Sequence, residues 1–287
     1  MNKAVGFILV FIAALSWSTA GLFTRVVSTD IPTTLFWRSF TGGLCVLAVY
    51  MILRRTANIR KLFQFGVGEA VMAVVNAIAT ICFISSFFYT TIANVVFVSG
   101  TMPLITFVLA MIFLKEKLTL ITTIACLLSA VGVMFIMWGA QNFGDIIGLA
   151  LAFGMTTFLA SLTVAVKYYP KADMVKATYL AAFLGALLVA PFATFGETST
   201  SDYQWLFLYG FVNVGLGFAV YLVGVSKITA VAAALISLLE VLLAPIWAAW
   251  LFNEELGQRT IVGGGVILFA TIMYLTVKER KIVESTA

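Results

Sequence analysis

One carboxylic acid stands in the middle of a long apolar run. In SLLEVLLAPIW, residues 237–247, Glu240 lies between leucine and valine, and Pro245 follows five residues later. The run extends over 230–252, so Glu240 lies ten residues past its start, near the centre of a bilayer-length helix. An acid at that depth costs about 2.5–3.5 kcal/mol on insertion scales, and such residues face a cavity or a partner. Two roles suit it. Glu240 binds substrate or a coupling ion, or it is protonated and bonds a backbone carbonyl freed by the proline.

At three-or-four spacing, Glu240 shares a helical face with Ala233, Ser237, Ala244 and Trp247. Comparable faces are formed by Val95, Ser99, Met102, Thr106 and Leu109; by Glu69, Ala73, Asn76, Thr80, Phe83 and Phe87; and by Gly210, Asn213, Gly217, Tyr221 and Gly224. The candidate substrate-binding residues are Trp17, Asn76, Thr80, Phe83, Ser99, Met102, Met155, Asn213, Tyr221, Ser237 and Glu240. They would enclose a mostly apolar, aromatic pocket with few polar groups, which suits a small amphipathic molecule. Pro103 and Pro245 remove backbone hydrogen bonds and are the candidate kinks for gating. Plainer roles compete. Asn76 and Asn213 equally serve as interhelical hydrogen bonds, worth under about 1 kcal/mol each. The glycines suit close helix packing, and Arg38 and Lys176 are expected to snorkel toward the interface.

Enzyme chemistry has little to build on. The chain has no histidine, and Cys45, Cys82 and Cys126 are scattered in apolar runs, so no metal site is expected. No glycine-rich phosphate loop opens a helix. No catalytic residue, cofactor or nucleic-acid partner is expected; the partners are a small-molecule substrate and membrane lipid.

The elements that must position these residues are apolar helices. Of the 287 residues, 62% are hydrophobic and 10% charged, where a soluble domain is about half apolar and a quarter charged. Ten segments reach the ~20 residues a span needs: 5–27, 33–53, 65–88, 92–114, 119–138, 146–166, 174–195, 203–225, 230–252 and 260–277. The N-terminal run continues to Val27 without a cleavage pattern and is read as the first span. With the N-terminus placed in the cytoplasm, 14 of the 17 basic residues fall inside, leaving Arg25, Arg38 and Arg259 outside. Both termini are therefore expected to be cytoplasmic, in a multi-pass protein of the inner (cytoplasmic) membrane.

Shifting the chain by 138 residues aligns Pro32 with Pro170, Arg38 with Lys176, Glu116 with Glu254, and AALSWST (13–19) with LAFGMTT (151–157). The repeat divides the chain at 1–142 and 143–287. Each half holds five helices, an odd number, so the second half crosses in the opposite sense. The expected fold is an all-α integral membrane protein of ten transmembrane helices in two inverted five-helix repeats, an architecture that secondary transporters use around a midplane site.

The chain resembles the drug/metabolite transporter superfamily, in its EamA-type ten-helix branch. The resemblance is carried by ALSWSTAGLFTR in helix 1 and IPTTLFWRSFTGGL at the start of helix 2. It continues through SSFFYTTIANVVFVSGTMPLITFVLAMIFLKEKLT across helices 3 to 5 and YLVGVSKITAVAAALISLLEVLLAPIWAAWLFNEEL in the second half. It implies a transporter that exports small metabolites, amino acids foremost, by alternating access. Other solutes, such as a drug or cationic metabolite coupled to protons through Glu240, are the alternative. A sensor without a transport cycle and a membrane enzyme are more remote. The branch often carries Glu-Pro in helix 9, whereas here Val241 follows Glu240 and the proline comes at 245. Helix 1 has no acid, unlike the four-helix proton-coupled exporters, and the basic residues lie at helix ends, unlike those of phosphate exchangers. Either a monomer or a homodimer fits the glycine-rich stretches TGG (41–43) and GGGV (263–266).

Overall fold

The computed structural model describes residues 3–55, 58, 62–90, 92–115, 120–137, 146–196, 198–252, 258, 261–263, 265–266, 269–270 and 272–274. All regular structure among them is helical. A helix satisfies its backbone internally, as an apolar chain in lipid must.

The first helix, α1, covers Lys3–Ser18 and resumes at Ala20–Val26. It is followed by α2 (Ile31–Arg54) and α3 (Val67–Tyr89). Next come α4, in two parts (Ile92–Ser99 and Met102–Leu114), and α5 (Leu120–Met137). In the second half lie α6 (Ile146–Tyr168), α7 (Met174–Val189) and α8 (Thr200–Lys227). The last of these labels, α9, again has two parts, Ala230–Ser237 and Leu239–Phe252. Residues 261–263 and 272–274 are also helical.

Local chemistry sets several boundaries. Pro32 occupies the first turn of α2, where a missing N–H leaves no helical bond unmade. The side chains of Asp173, Ser199 and Thr229 accept from the backbone N–H of Lys176, Asp202 and Ala232 and so cap α7, α8 and α9.

Among the described residues, α1, α2, α3, α6, α7, α8 and α9 are long and apolar enough to cross a membrane. The expected fourth span is divided at Gly100–Thr101, which leaves Met102–Leu114 as a shorter apolar helix. The fifth contributes the apolar stretch Thr123–Gly132. The tenth, at 260–277, lies partly outside the described residues, and Glu116 and Glu254 lie wholly outside them.

The packing repeats itself. One relation places α3 along α6 and its image places α1 along α8; likewise α2 meets α8 as α7 meets α3, and α1 meets α9 as α6 meets α4. Exchanging α1–α4 for α6–α9 turns each pairing into its counterpart. The first part of α4 touches the second part of α9, and the second part of α4 touches the first part of α9. These two helices therefore run antiparallel across the centre. The seam between α2 and α8 depends on small residues. A Cβ on Gly42 would come within 2.6 Å of the Gly210 carbonyl oxygen and 2.5 Å of the Val214 Cβ. Large side chains such as Ile8, Ile52, Leu187 and Trp250 are exposed around the outside, a surface that lipid covers.

Candidate functional site

Three helices lose their regular bonding at the centre. In α1 the break falls at Thr19, in α4 at Gly100–Thr101 and in α9 at Leu238. Side-chain hydroxyls take up the carbonyls around each break. Thr19 Oγ1 donates to the Ser16 carbonyl at 2.6 Å, Ser99 Oγ and Thr101 Oγ1 donate to the Val96 and Val98 carbonyls at 2.7 Å, and Ser237 Oγ donates to the Ala233 carbonyl at 2.9 Å. A fourth irregularity lies in α8, where Gly210–Phe218 is π-helical. Such wide turns recur at functional sites because they re-aim side chains.

The breaks enclose one cavity. Its lining comprises Trp17 from α1; Ala79, Thr80 and Phe83 from α3; Ser99 and Met102 from α4; Met155 and Leu159 from α6; Phe218 from α8; and Ser237, Leu238 and Glu240 from α9. Its volume is about 30 Å³, room for one or two waters and far below the ~300 Å³ of a small-molecule pocket. This conformation is closed, and a solute enters only when helices part.

Eight of the eleven sequence candidates line this cavity: Trp17, Thr80, Phe83, Ser99, Met102, Met155, Ser237 and Glu240. Three stand behind it. Asn213 holds the α1 break: its Nδ2 donates to the Ser16 carbonyl at 3.1 Å and to Thr19 Oγ1 at 3.3 Å, and its own carbonyl accepts from Trp17 Nε1 at 3.2 Å. Tyr221 shares a 2.6 Å hydrogen bond with Thr163, and its ring centre lies 4.7 Å from that of Trp17. Asn76 is buried one turn from Thr80 on α3, with its side-chain oxygen unpaired. Trp247, from the Glu240 face, donates to Ser18 Oγ at 2.8 Å and ties α9 to α1.

The kinks differ from those expected. In α4 the break precedes Pro103, which sits in the first turn of Met102–Leu114. In α9 the break is at Leu238, and Pro245 lies inside the continuous helix Leu239–Phe252. A proline there removes a single rung and leaves the rest of the ladder intact. The break instead puts Glu240 in the first turn of a new helix, where the amide dipoles favour a carboxylate. Arg38 also departs from expectation: it has no exposed surface and does not reach the interface. Lys176 does extend outward, donating to the Gln64 carbonyl at 2.9 Å.

Four lining residues were not among the candidates: Ala79, Leu159, Phe218 and Leu238. Leu159 follows Met155 by four residues and was available from helical spacing. Phe218 was not, because the π-turns shift the inward face of α8 off the 3.6-residue period that selected Gly217 and Tyr221. Gly217 still matters: a Cβ there would meet Trp17 Nε1 at 2.7 Å, so only glycine lets the indole lie against α8.

Apolar spanning helices, paired alike in two halves and broken around a closed central cavity, define a membrane transporter of the two-repeat class. The chain belongs to the EamA-like transporter family, whose profile matches residues 4–138 and 146–276, one match in each half. It is thus a multi-pass membrane protein that moves some solute across the bilayer. A curated relative, the uncharacterized transporter sll1164 of Synechocystis sp., is 23% identical over 258 residues, covering 82% of this chain and 74% of its own. A solved crystal structure superposes with a TM-score of 0.80 at 17% identity, over 96% of this chain and 99% of its own, a likeness of fold alone.

Proposed function

We propose that the chain exports small amphipathic metabolites, amino acids foremost, by alternating access through the central cavity. It does so as ten spans in two inverted halves, in the inner membrane, with both termini cytoplasmic. The observation that carries this reading is the polarity of the cavity lining. The hydroxyl protons of Ser99 and Ser237 and the indole N–H of Trp17 are committed to backbone carbonyls. The serines therefore offer the cavity only acceptor lone pairs, beside the Glu240 carboxyl group. Thr80 adds one hydroxyl that can turn either way. An acceptor-rich end beside Trp17, Phe83 and Phe218 suits an ammonium group attached to an apolar body.

The cycle follows from the breaks. The two parts of α4 and of α9 hinge at Gly100–Thr101 and Leu238, with Pro103 and Pro245 limiting how each outer part bends. The ammonium binds at Glu240 once the helices part enough to admit the solute, and it is released when water reaches the carboxyl group. A second reading, export of a cationic drug or metabolite coupled to protons, is favoured by the same acceptors. The two part on the carboxylate. Purified protein in liposomes is loaded with labelled amino acids and, separately, with the corresponding amines. Amino-acid efflux above empty liposomes is expected; efflux of amines alone sinks the amino-acid assignment.

A further inference from the structure

Arg38 carries a charge that the protein leaves unpaired. The side chain on α2 has no exposed surface, and its Nε, Nη1 and Nη2 have no hydrogen-bond partner. The guanidinium carbon lies 4.8 Å from the ring centre of Tyr209 on α8. A ring face attracts the cation but leaves its N–H donors unsatisfied. Tyr209 is itself fully buried, and its hydroxyl, without a well-formed hydrogen bond of its own, lies close enough to interact with the guanidinium. The nearby acids along the chain are engaged elsewhere. Asp202 on α8 accepts from the Ser28 N–H and from Ser199, and Asp30 at the start of α2 accepts from Thr194.

A buried charge is costly unless it is paired, and against the five guanidinium N–H donors stands a single phenol hydroxyl. Donors gathered in a dry place take an anion, and the flat fork of a guanidinium matches the two oxygens of a carboxylate. This buried pair is also linked to the central site through α8. Tyr209 directly precedes the π-helical stretch of α8 whose last residue, Phe218, lines the cavity. Between them Asn213 presents an unpaired side-chain oxygen.

We propose that Arg38 and Tyr209 form a carboxylate-binding station for the exported solute, separate from the central cavity and lying toward the end of the bundle where α1 joins α2. This rests on the amino-acid reading above. The central cavity supplies acceptors for the ammonium group, and Arg38 supplies the donors that the cavity lacks. The two stations stand at opposite ends of the nine-residue π-helical stretch, about two turns apart, and are occupied in succession. The solute passes between them when the π-helical stretch of α8, which begins directly after Tyr209, moves off α2.

The test uses the full chain purified in detergent. Thermal unfolding is followed against phenylalanine, phenylalanine methyl ester, phenylacetate, phenethylamine, sodium phosphate and sodium chloride. Phenylalanine is expected to bind roughly ten- to a hundredfold more tightly than its methyl ester, the loss that follows when charged hydrogen bonds go unmade. Arg38→Lys, which keeps the charge and loses the fork, and Tyr209→Phe both reduce that ratio while phenethylamine binding persists. Equal binding of the acid and its ester by the unmutated chain overturns the proposal and requires no variant to fold. So does an Arg38→Lys protein with the full preference, and so does stabilisation by phosphate or chloride equal to that by phenylalanine. Carboxylate preference without amino-acid efflux from liposomes would leave the Arg38 station standing and remove the export assignment. Efflux without carboxylate preference would do the reverse.

Discussion

Adding one methyl group at Gly217 should damage both stability and transport. The new Cβ would lie 2.7 Å from Trp17 Nε1 and 2.9 Å from its Cδ1. The indole has little freedom to retreat, because Phe218 and Tyr221 hold it with ring centres 4.8 and 4.7 Å away. It moves off α8, and its 3.2 Å hydrogen bond to the Asn213 carbonyl is lost. Overpacking costs about 1–3 kcal/mol and the lost hydrogen bond about 1 kcal/mol, while alanine returns about 0.5–1 kcal/mol of helix preference. The net loss is about 1–3 kcal/mol, read as a lower denaturation midpoint in detergent. Transport falls further, since the displaced ring enters a cavity of about 30 Å³ and fills it. Gly154→Ala on α6 is the control. There the added Cβ meets only Cys82 Sγ, at an ordinary 3.6 Å, so stability is unchanged or rises by up to about 1 kcal/mol. A Gly217→Ala protein as stable and active as the parent, or a Gly154→Ala protein damaged equally, would refute the reasoning.

In the proton-coupled reading, Glu240→Gln abolishes flux driven by a pH gradient and leaves counterflow exchange in liposomes; loss of both assigns Glu240 to ammonium binding instead, and unchanged pH dependence removes Glu240 from coupling. Asn213→Leu deletes the bonds to Ser16 and Thr19 that hold the α1 break. It should cost about 1–3 kcal/mol and speed amide exchange over residues 16–24. Tyr221→Phe loses the 2.6 Å bond to Thr163, whose hydroxyl keeps the Leu159 carbonyl at 2.8 Å. Unfolding measurements should show a loss of about 0.5–1.5 kcal/mol with solute preference unchanged, because Tyr221 stands behind the cavity.

Most of the cavity lining could be read from the amino acids because α3 and α6 keep ordinary helical spacing, and the short breaks in α4 and α9 still leave Ser99 with Met102 and Ser237 with Glu240 at the cavity. Asn76, Thr80 and Phe83 stand on one face of α3 by period alone, and two of the three reach the cavity. What stayed hidden depends on distant partners. The break at Thr19 falls in STAGLF, a stretch with no proline, and the group that steadies it is Asn213, almost two hundred residues away. The break at Leu238 likewise has no proline beside it, and Pro245 drew attention to the wrong turn. The burial of Arg38 depends on Tyr209 and Gly210 of α8 closing over α2, which hydropathy of α2 alone suggests nowhere. Snorkelling is the default for a lone arginine near a helix end, and packing of another helix across it overrides that default.

The two halves pair alike but are not alike in detail, and the differences are organised. The breaks in α4 and α9 occupy equivalent places under the 138-residue offset, Gly100–Thr101 against 238–239, so both halves share them. The break in α1 has no such counterpart. Thr157, its equivalent, continues α6 and bonds the Phe153 carbonyl within the helix at 2.9 Å. The π-helical stretch of α8 corresponds to residues 72–80 of α3, which are regular α-helix. The seam between α1 and α8 is therefore irregular where the seam between α3 and α6 is not. The side chains divide the same way: Glu240 on α9 stands where Met102 stands on α4, so one wall of the cavity is acidic and the opposite wall is a thioether. Were the halves identical, a solute would meet the same surface from both sides and could bind in two equivalent orientations. With Glu240 on one wall and Met102 on the other, the ammonium end of an amphipathic solute has a single favourable direction. The shared breaks allow both halves to bend, and the unshared acid orients what they carry.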